Sequence, residues 1–133
     1  MNVCAGSAPK AWVSEQNANI TGAQLWQAMP GTEIDFTLAH DRPVVFMADG
    51  VVASNAAPIT CEFRVVVDDI AQGDHQYGNR RFQPEIRGEW NWSFRHMMAL
   101  TAGAHTARLD FQGTGCSHSS AEFYRAKLMV LAL

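Results

Sequence analysis

The stretch from residue 59 to residue 67 constrains this chain more than any other. Ile59, Cys61, Phe63, Val65 and Val67 alternate there with Thr60, Glu62, Arg64 and Val66. A period of two puts the first set on one face of a β-strand and the second on the other, whereas a helix would scatter both. Residues 32–39 repeat the pattern, with Ile34, Phe36 and Leu38 opposed to Glu33, Asp35 and Thr37. So do His105, Ala107, Leu109 and Phe111 against Thr106, Arg108, Asp110 and Gln112. Each run reads as a strand with one side on a core and the other towards water.

The remaining segments extend this reading. Asp49-Gly50 tolerates the positive φ angles of a tight turn, so residues 43–48 and 51–54 are expected to form a hairpin around it. Trp90-Asn91-Trp92-Ser93-Phe94 alternates aromatic with polar side chains. Trp90, Phe94, Met97 and Met98 would also fit one helical face, but aromatic enrichment after Gly88 favours a strand. A turn is expected at Ala102-Gly103, and Gly113-Thr114-Gly115 ends the run after it. Residues 123–133 are apolar enough to form a central strand buried on both faces. One segment favours a helix. Thr21-Gly22-Ala23-Gln24 has the form of a capping box, Leu25, Ala28 and Met29 share a face, and Pro30-Gly31 is a stop.

Residues 68–89 differ from their surroundings. They carry Asp68-Asp69, Gly73, Gly78, Pro84 and Gly88 with few apolar side chains, and read as a long excursion with a short strand around 81–86. No repeat or linker interrupts the chain, and 133 residues is the usual size of one domain, here spanning 1–133. Many short strands without alternating helices predict an all-β fold. Its architecture is an antiparallel two-sheet sandwich with one short helix near residues 21–29.

Within residues 98–133, Ala99-Leu100-Thr101-Ala102-Gly103-Ala104-His105-Thr106-Ala107-Arg108-Leu109 and the apolar closing run 124–133 have a recognisable cadence. They resemble the jelly-roll sandwiches of tumour-necrosis-factor-like and complement-globular-domain-like proteins. The resemblance implies a jelly roll, homo-oligomers and partners bound at loops and interfaces. It brings no functional residue with it.

Charge excludes some partners. Ten Lys and Arg stand against thirteen Asp and Glu, a formal charge of −3, and Arg80-Arg81 is the longest basic run. Nucleic-acid binding needs an array of cations to neutralise phosphates, so it is disfavoured. Apolar runs such as residues 128–133 are too short to span a bilayer as a helix. Charged residues make up 17% of the chain, well below the usual quarter, which favours self-association. Cys4, Cys61 and Cys116 are far apart and odd in number, which favours reduced thiols and a cytoplasmic rather than a secreted setting. A Cys61–Cys116 bridge would need their strands to face each other. No signal-peptide pattern opens the sequence.

The chemistry is sparse. His40, His75, His96, His105 and His118 include no His-x-His pair, so neither a metal site nor a cofactor is expected. Gly115-Cys116-Ser117-His118 has nucleophile types without the strand–turn–helix setting that would activate one, which counts against an enzyme. Glu62, Asp110 and Glu122 read as solvated surface charges. The candidate ligand site is aromatic and cationic: His75, Tyr77, Arg80 and Arg81 in the excursion, with Trp90 and Trp92 just after it. Such a set could stack a sugar and orient it, with at least one of the two tryptophans expected in the core instead. Three functions follow: a non-catalytic, self-associating interaction module; an enzyme or carbohydrate-binding protein using residues 73–82; or a structural subunit of a phage or surface assembly.

Overall fold

The computed structural model describes residues 10–21, 25–54, 60–83, 88–113 and 122–133. Every regular element among them is a strand. In chain order these are β1 (Lys10–Glu15), β2 (Ile20–Thr21), β3 (Gln27–Ala28), β4 (Ile34–Leu38), β5 (Arg42–Ser54), β6 (Cys61–Val67), β7 (Ile70–Ala71), β8 (Arg80–Phe82), β9 (Gly88–Leu100), β10 (Gly103–Gln112) and β11 (Glu122–Ala132).

They pair antiparallel in two sheets. The first runs β1-β11-β5-β9, with β2 also on β11; in the second, β3 and β4 border β10, which pairs with β6, and β7 and β8 border β6. The last strand therefore lies between the first and the fifth, and successive long strands switch sheets. That is the winding of a jelly roll. Alternate side chains of both sheets fill the space between them, with Phe46, Phe63, Phe111, Phe123, Leu109 and Leu128 fully buried. Burying each such side chain is worth about 1.5–3 kcal/mol.

The expected short helix near residues 21–29 is not there. Ile20–Thr21 pairs with β11 and Gln27–Ala28 with β10, while residues 22–24 lie outside the described set. Tertiary pairing overrides the capping pattern. The Met29 N–H donates to the Leu109 carbonyl at 2.8 Å, and the buried Thr32 hydroxyl accepts the Leu109 N–H at 3.1 Å. These bonds hold the segment flat on β10.

Nor does the chain turn at Asp49-Gly50. β5 is one strand of 13 residues, and Gly50 is absent from the residues with positive φ. Its glycine is needed for approach rather than for a turn, because a Cβ there would lie 2.5 Å from Cζ2 of Trp92. The turn at Ala102-Gly103 does form, with Gly103 at φ 121°. The excursion after β6 contributes β7 and β8, both paired with β6.

β11 is central, as expected, but it is not buried on both faces. Phe123, Leu128 and Val130 face the core, whereas Met129 and Leu131 on the other side are half-buried and Leu133 is 43% exposed.

Candidate functional site

The structure places the six candidate residues in one turn, where His75 and Tyr77 lie, and on two sheets. His75 is exposed in a turn that closes on itself: Asp74 and Gly78 exchange backbone hydrogen bonds of 3.0 and 2.8 Å. Oδ1 of Asp74 accepts the N–H groups of Tyr77 and Gln76, and these bonds hold its carboxyl below the usual range. The Arg81 guanidinium lies 4.3 Å over the Tyr77 ring, while its Nε is 3.8 Å from Glu62. Arg80 is exposed and donates to the Arg81 carbonyl at 3.0 Å.

Trp90 and Trp92 sit on the inner side of β9. Trp92 is 3% exposed and belongs to the core, and Trp90 packs half-buried against that core. Phe63 stands between the two groups, since its ring stacks on Trp92 and its backbone pairs with Arg80. The excursion thus lies along the outer face and edge of the second sheet, with Trp92 beneath that sheet.

On that outer face Glu62 and Asp110 are each 2% exposed, not solvated as the sequence led one to expect. Gln112 donates to Glu62 at 2.7 Å, and Asp110 accepts from Arg64 at 3.1 Å and Arg108 at 2.9 Å. Arg64 is in turn 4.2 Å over the Trp26 ring. Partners on neighbouring strands satisfy these buried charges, as burial requires. Glu122 remains exposed, and the Cys61–Cys116 pairing falls outside the described residues with Cys116.

Two histidines are built into the sandwich. His105 Nε2 is 2.7 Å from the Thr101 carbonyl and Nδ1 is 2.7 Å from Asp68 Oδ2. Both partners are acceptors, so the ring is satisfied fully only as an imidazolium. Burial opposes that charge, but the hydrogen bonds to Asp68 and Thr101 and the Asp68 charge outweigh it and raise the His105 pKa. Burial likewise favours the neutral Asp68 carboxyl, and the bonds from His105 and the Thr106 N–H overcome it and lower its pKa. His96 is the opposite case. Asn79 uses Oδ1 to accept the Val65 N–H, so its amide N–H donates to His96 Nδ1 at 3.2 Å, and burial lowers the His96 pKa. Among the described residues no group of three His, Cys, Asp or Glu could hold a metal ion.

Two features of the first sheet escaped the sequence reading, and both lie on its outer face. Cross-strand register sets Ala11, Leu131, Val45 and Met97 in one row, and Val13, Met129, Met47 and Arg95 in the next. The first row is apolar throughout and the second in three of its four positions, and Val13 is 56% exposed and Met97 63%. The row after them is charged, with Glu15, Lys127 and Asp49 side by side. Beyond that row lies a trough of about 390 Å3, lined by Asp49, Gly50, Val51, Asn91, Trp92, Ser93, Arg125 and Lys127. It opens where β11 bulges between Tyr124 and Lys127, with Arg125 in the left-handed region at φ 58°.

No family model and no curated protein matches the sequence. Solved structures share its fold. A structure of infectious bursal disease virus Gt strain aligns over 94% of this chain and 32% of its own, with 7% identity and a TM-score of 0.59. The crystal structure of the T13 IBDV viral particle aligns over 92% and 31%, with 6% identity and a TM-score of 0.50. The CBM36-1 domain of a multidomain xylanase from the Trinervitermes trinervoides hindgut metagenome aligns over 91% and 96%, with 9% identity and a TM-score of 0.47. The chain spans about a third of the two viral chains it resembles. The jelly roll is thus shared with viral particle proteins, while the narrower likeness to tumour-necrosis-factor-like and complement-like domains finds no counterpart among these structures.

Proposed function

We propose that this chain is a non-catalytic interaction module that self-associates by stacking the outer face of its first sheet on the same face of a second copy. The observation that carries this reading is the pair of rows centred on Val45 and Met47, apolar across β1, β11, β5 and β9 apart from Arg95 at one end. Strands about 4.8 Å apart make such a face roughly 14 Å wide, which suits the centre of an interface. Exposed apolar patches rimmed by polar side chains mark contact sites. A stable dimer buries about 800 Å2 per partner, so the charged row must join the contact as its rim.

The rim argues for a second copy over a foreign partner. Glu15 and Asp49 are negative and Lys127 and Arg95 positive. A surface holding both signs in one border complements itself under a two-fold rotation. Assembly is also how the fold is used by the viral particle in which a third of one chain resembles this one.

Sedimentation velocity over a concentration series tests the reading, with Met97→Glu and Val13→Glu as variants. The wild type is expected to shift from monomer to dimer, and the variants to stay monomeric with unchanged circular dichroism. A wild type that is monomeric at its solubility limit would overturn the proposal. So would variants that dimerise as well as the wild type.

A further inference from the structure

At the edge of the charged rim, the trough gathers polar side chains from three strands. Among the described residues, Asp49, Asn91 and Ser93 make no side-chain hydrogen bond, and Arg125 has no carboxylate partner. The Arg125 guanidinium lies 5.6 Å from the centroid of the Tyr124 ring. Tyr124 is itself held by a hydrogen bond to Glu89, on the far side of β5. Lys127 is shared with Glu15 at 3.7 Å. These groups converge from β5, β9 and β11 on a floor of backbone at Gly50 and Trp92, whose side-chain positions face the core.

The bulge that creates the trough is costly. A long side chain at φ 58° is strained by about 1 kcal/mol or more, and such strain persists where the surrounding structure imposes it. Without the bulge, Arg125 and Lys127 would not both border the trough at its β11 end. Bulges are over-represented where a side chain is re-aimed beside a binding site.

We propose that the trough binds an acidic monosaccharide, with its carboxylate on Arg125 and Lys127 and its hydroxyls on Asp49, Asn91 and Ser93. Charge selects this class. Among the lining residues two cations face one carboxylate, and Lys127 is already shared with Glu15, so Arg125 is the cation left for a single negative charge; Asp49 would repel a dianion such as phosphate while accepting bonds from hydroxyl donors. A volume of about 390 Å3 lies in the range of small-ligand sites. None of the apolar rows lines the trough, but Asp49 and Lys127 also stand in the rim of the proposed contact, so binding is measured on the monomeric Met97→Glu variant as well as on the wild type.

Amide chemical-shift mapping with glucuronate, glucose and inorganic phosphate tests this on both the wild type and the Met97→Glu variant. Glucuronate is expected to shift residues 49–51, 91–93 and 125–127 in both proteins, with weaker effects from glucose and phosphate. Arg125→Ala should weaken glucuronate at least about tenfold, the loss of a charge-assisted pair. Arg125→Gly is the folding control: it relieves the positive φ, so it should melt no lower than the wild type yet lose the ligand. Absence of localised shifts with glucuronate would overturn the proposal. Equal affinity in Arg125→Ala, or tighter binding of phosphate, would do the same.

Discussion

The indole of Trp92 lies flat on the Phe63 ring, with centroids 3.7 Å apart and planes 12° from parallel. One residue comes from β9 of the first sheet and the other from β6 of the second, so this stack joins the sheets directly. Gly50 lets it form, because any Cβ there would meet the indole. Trp92→Ala should cost about 3–5 kcal/mol in urea unfolding, at the level of large aromatic truncations. Trp92→Phe should cost less than half of that, because it keeps a ring on Phe63 and deletes a buried N–H that has no partner among the described residues. Gly50→Ala should cost about 1–3 kcal/mol by overpacking. Its cost should nearly vanish in the Trp92→Ala background. Additive effects would show that the indole is not what Gly50 accommodates.

Why β strands were legible and the sites were not follows from range. Alternation at Phe63 or Leu109 is written in adjacent residues, and burial of one face follows. Gly50 is different, because a glycine at a turn and a glycine under a distant indole look alike locally. The helix expected near Leu25 and Met29 failed for the same reason, since its pairing partner Leu109 lies far along the chain. Glu62 and Asp110 look like surface charges until Arg81, Gln112, Arg64 and Arg108 are brought around them. Residues 123–133 were read correctly as apolar and central, but sequence cannot say whether a second face is covered by this chain or by another. Asp49, Asn91 and Arg125 come from three strands, and no local signal joins them.

Asp110 should be the most sensitive charge in the second sheet. It is 2% exposed and accepts from both Arg64 and Arg108. Asp110→Ala takes the carboxylate from Arg64 and leaves Arg108 only its 3.4 Å contact with the exposed Asp69, and is expected to cost about 2–4 kcal/mol, discounted from a fully buried pair because both arginines reach solvent. Arg108→Ala removes one contact only and should cost less. Equal losses in thermal unfolding would mean that Asp110 relies on one arginine alone.

The two built-in histidines predict opposite responses to pH. The His105 pKa is raised above its ordinary 6.5, so folding binds the proton more tightly, and its contribution is full below 6.5 and lost as pH rises through the raised value. Asp68 is lowered below 3.8, so its contribution is present above 3.8 and lost as pH falls through the lowered value. The pair therefore works best between these limits. His96 is lowered below 6.5, so its contribution is present above 6.5 and fades as acid protonates the ring and breaks the bond from Asn79. His105→Gln should flatten the decline in stability on the alkaline side of 6.5, and His96→Asn the decline on its acid side. Urea midpoints measured across this range check both, and identical profiles for the two variants would contradict the geometry.

Salt should separate the two surfaces of the first sheet. An interface centred on Val45, Met47 and Met97 is driven by apolar burial, which sulfate strengthens by its exclusion from protein surfaces. Ligand capture by Arg125 is electrostatic, and the screening length falls from about 30 Å at 0.01 M salt to about 3 Å at 1 M. Raising sodium chloride across that interval should therefore weaken glucuronate binding severalfold while leaving the dimer constant unchanged or higher. If the dimer dissociates with added sodium chloride instead, the contact is carried by Glu15, Lys127, Asp49 and Arg95 rather than by the apolar rows. Sedimentation in sodium chloride and in sodium sulfate, run on one preparation, distinguishes these two interfaces, because only the apolar one tightens in sulfate at matched ionic strength.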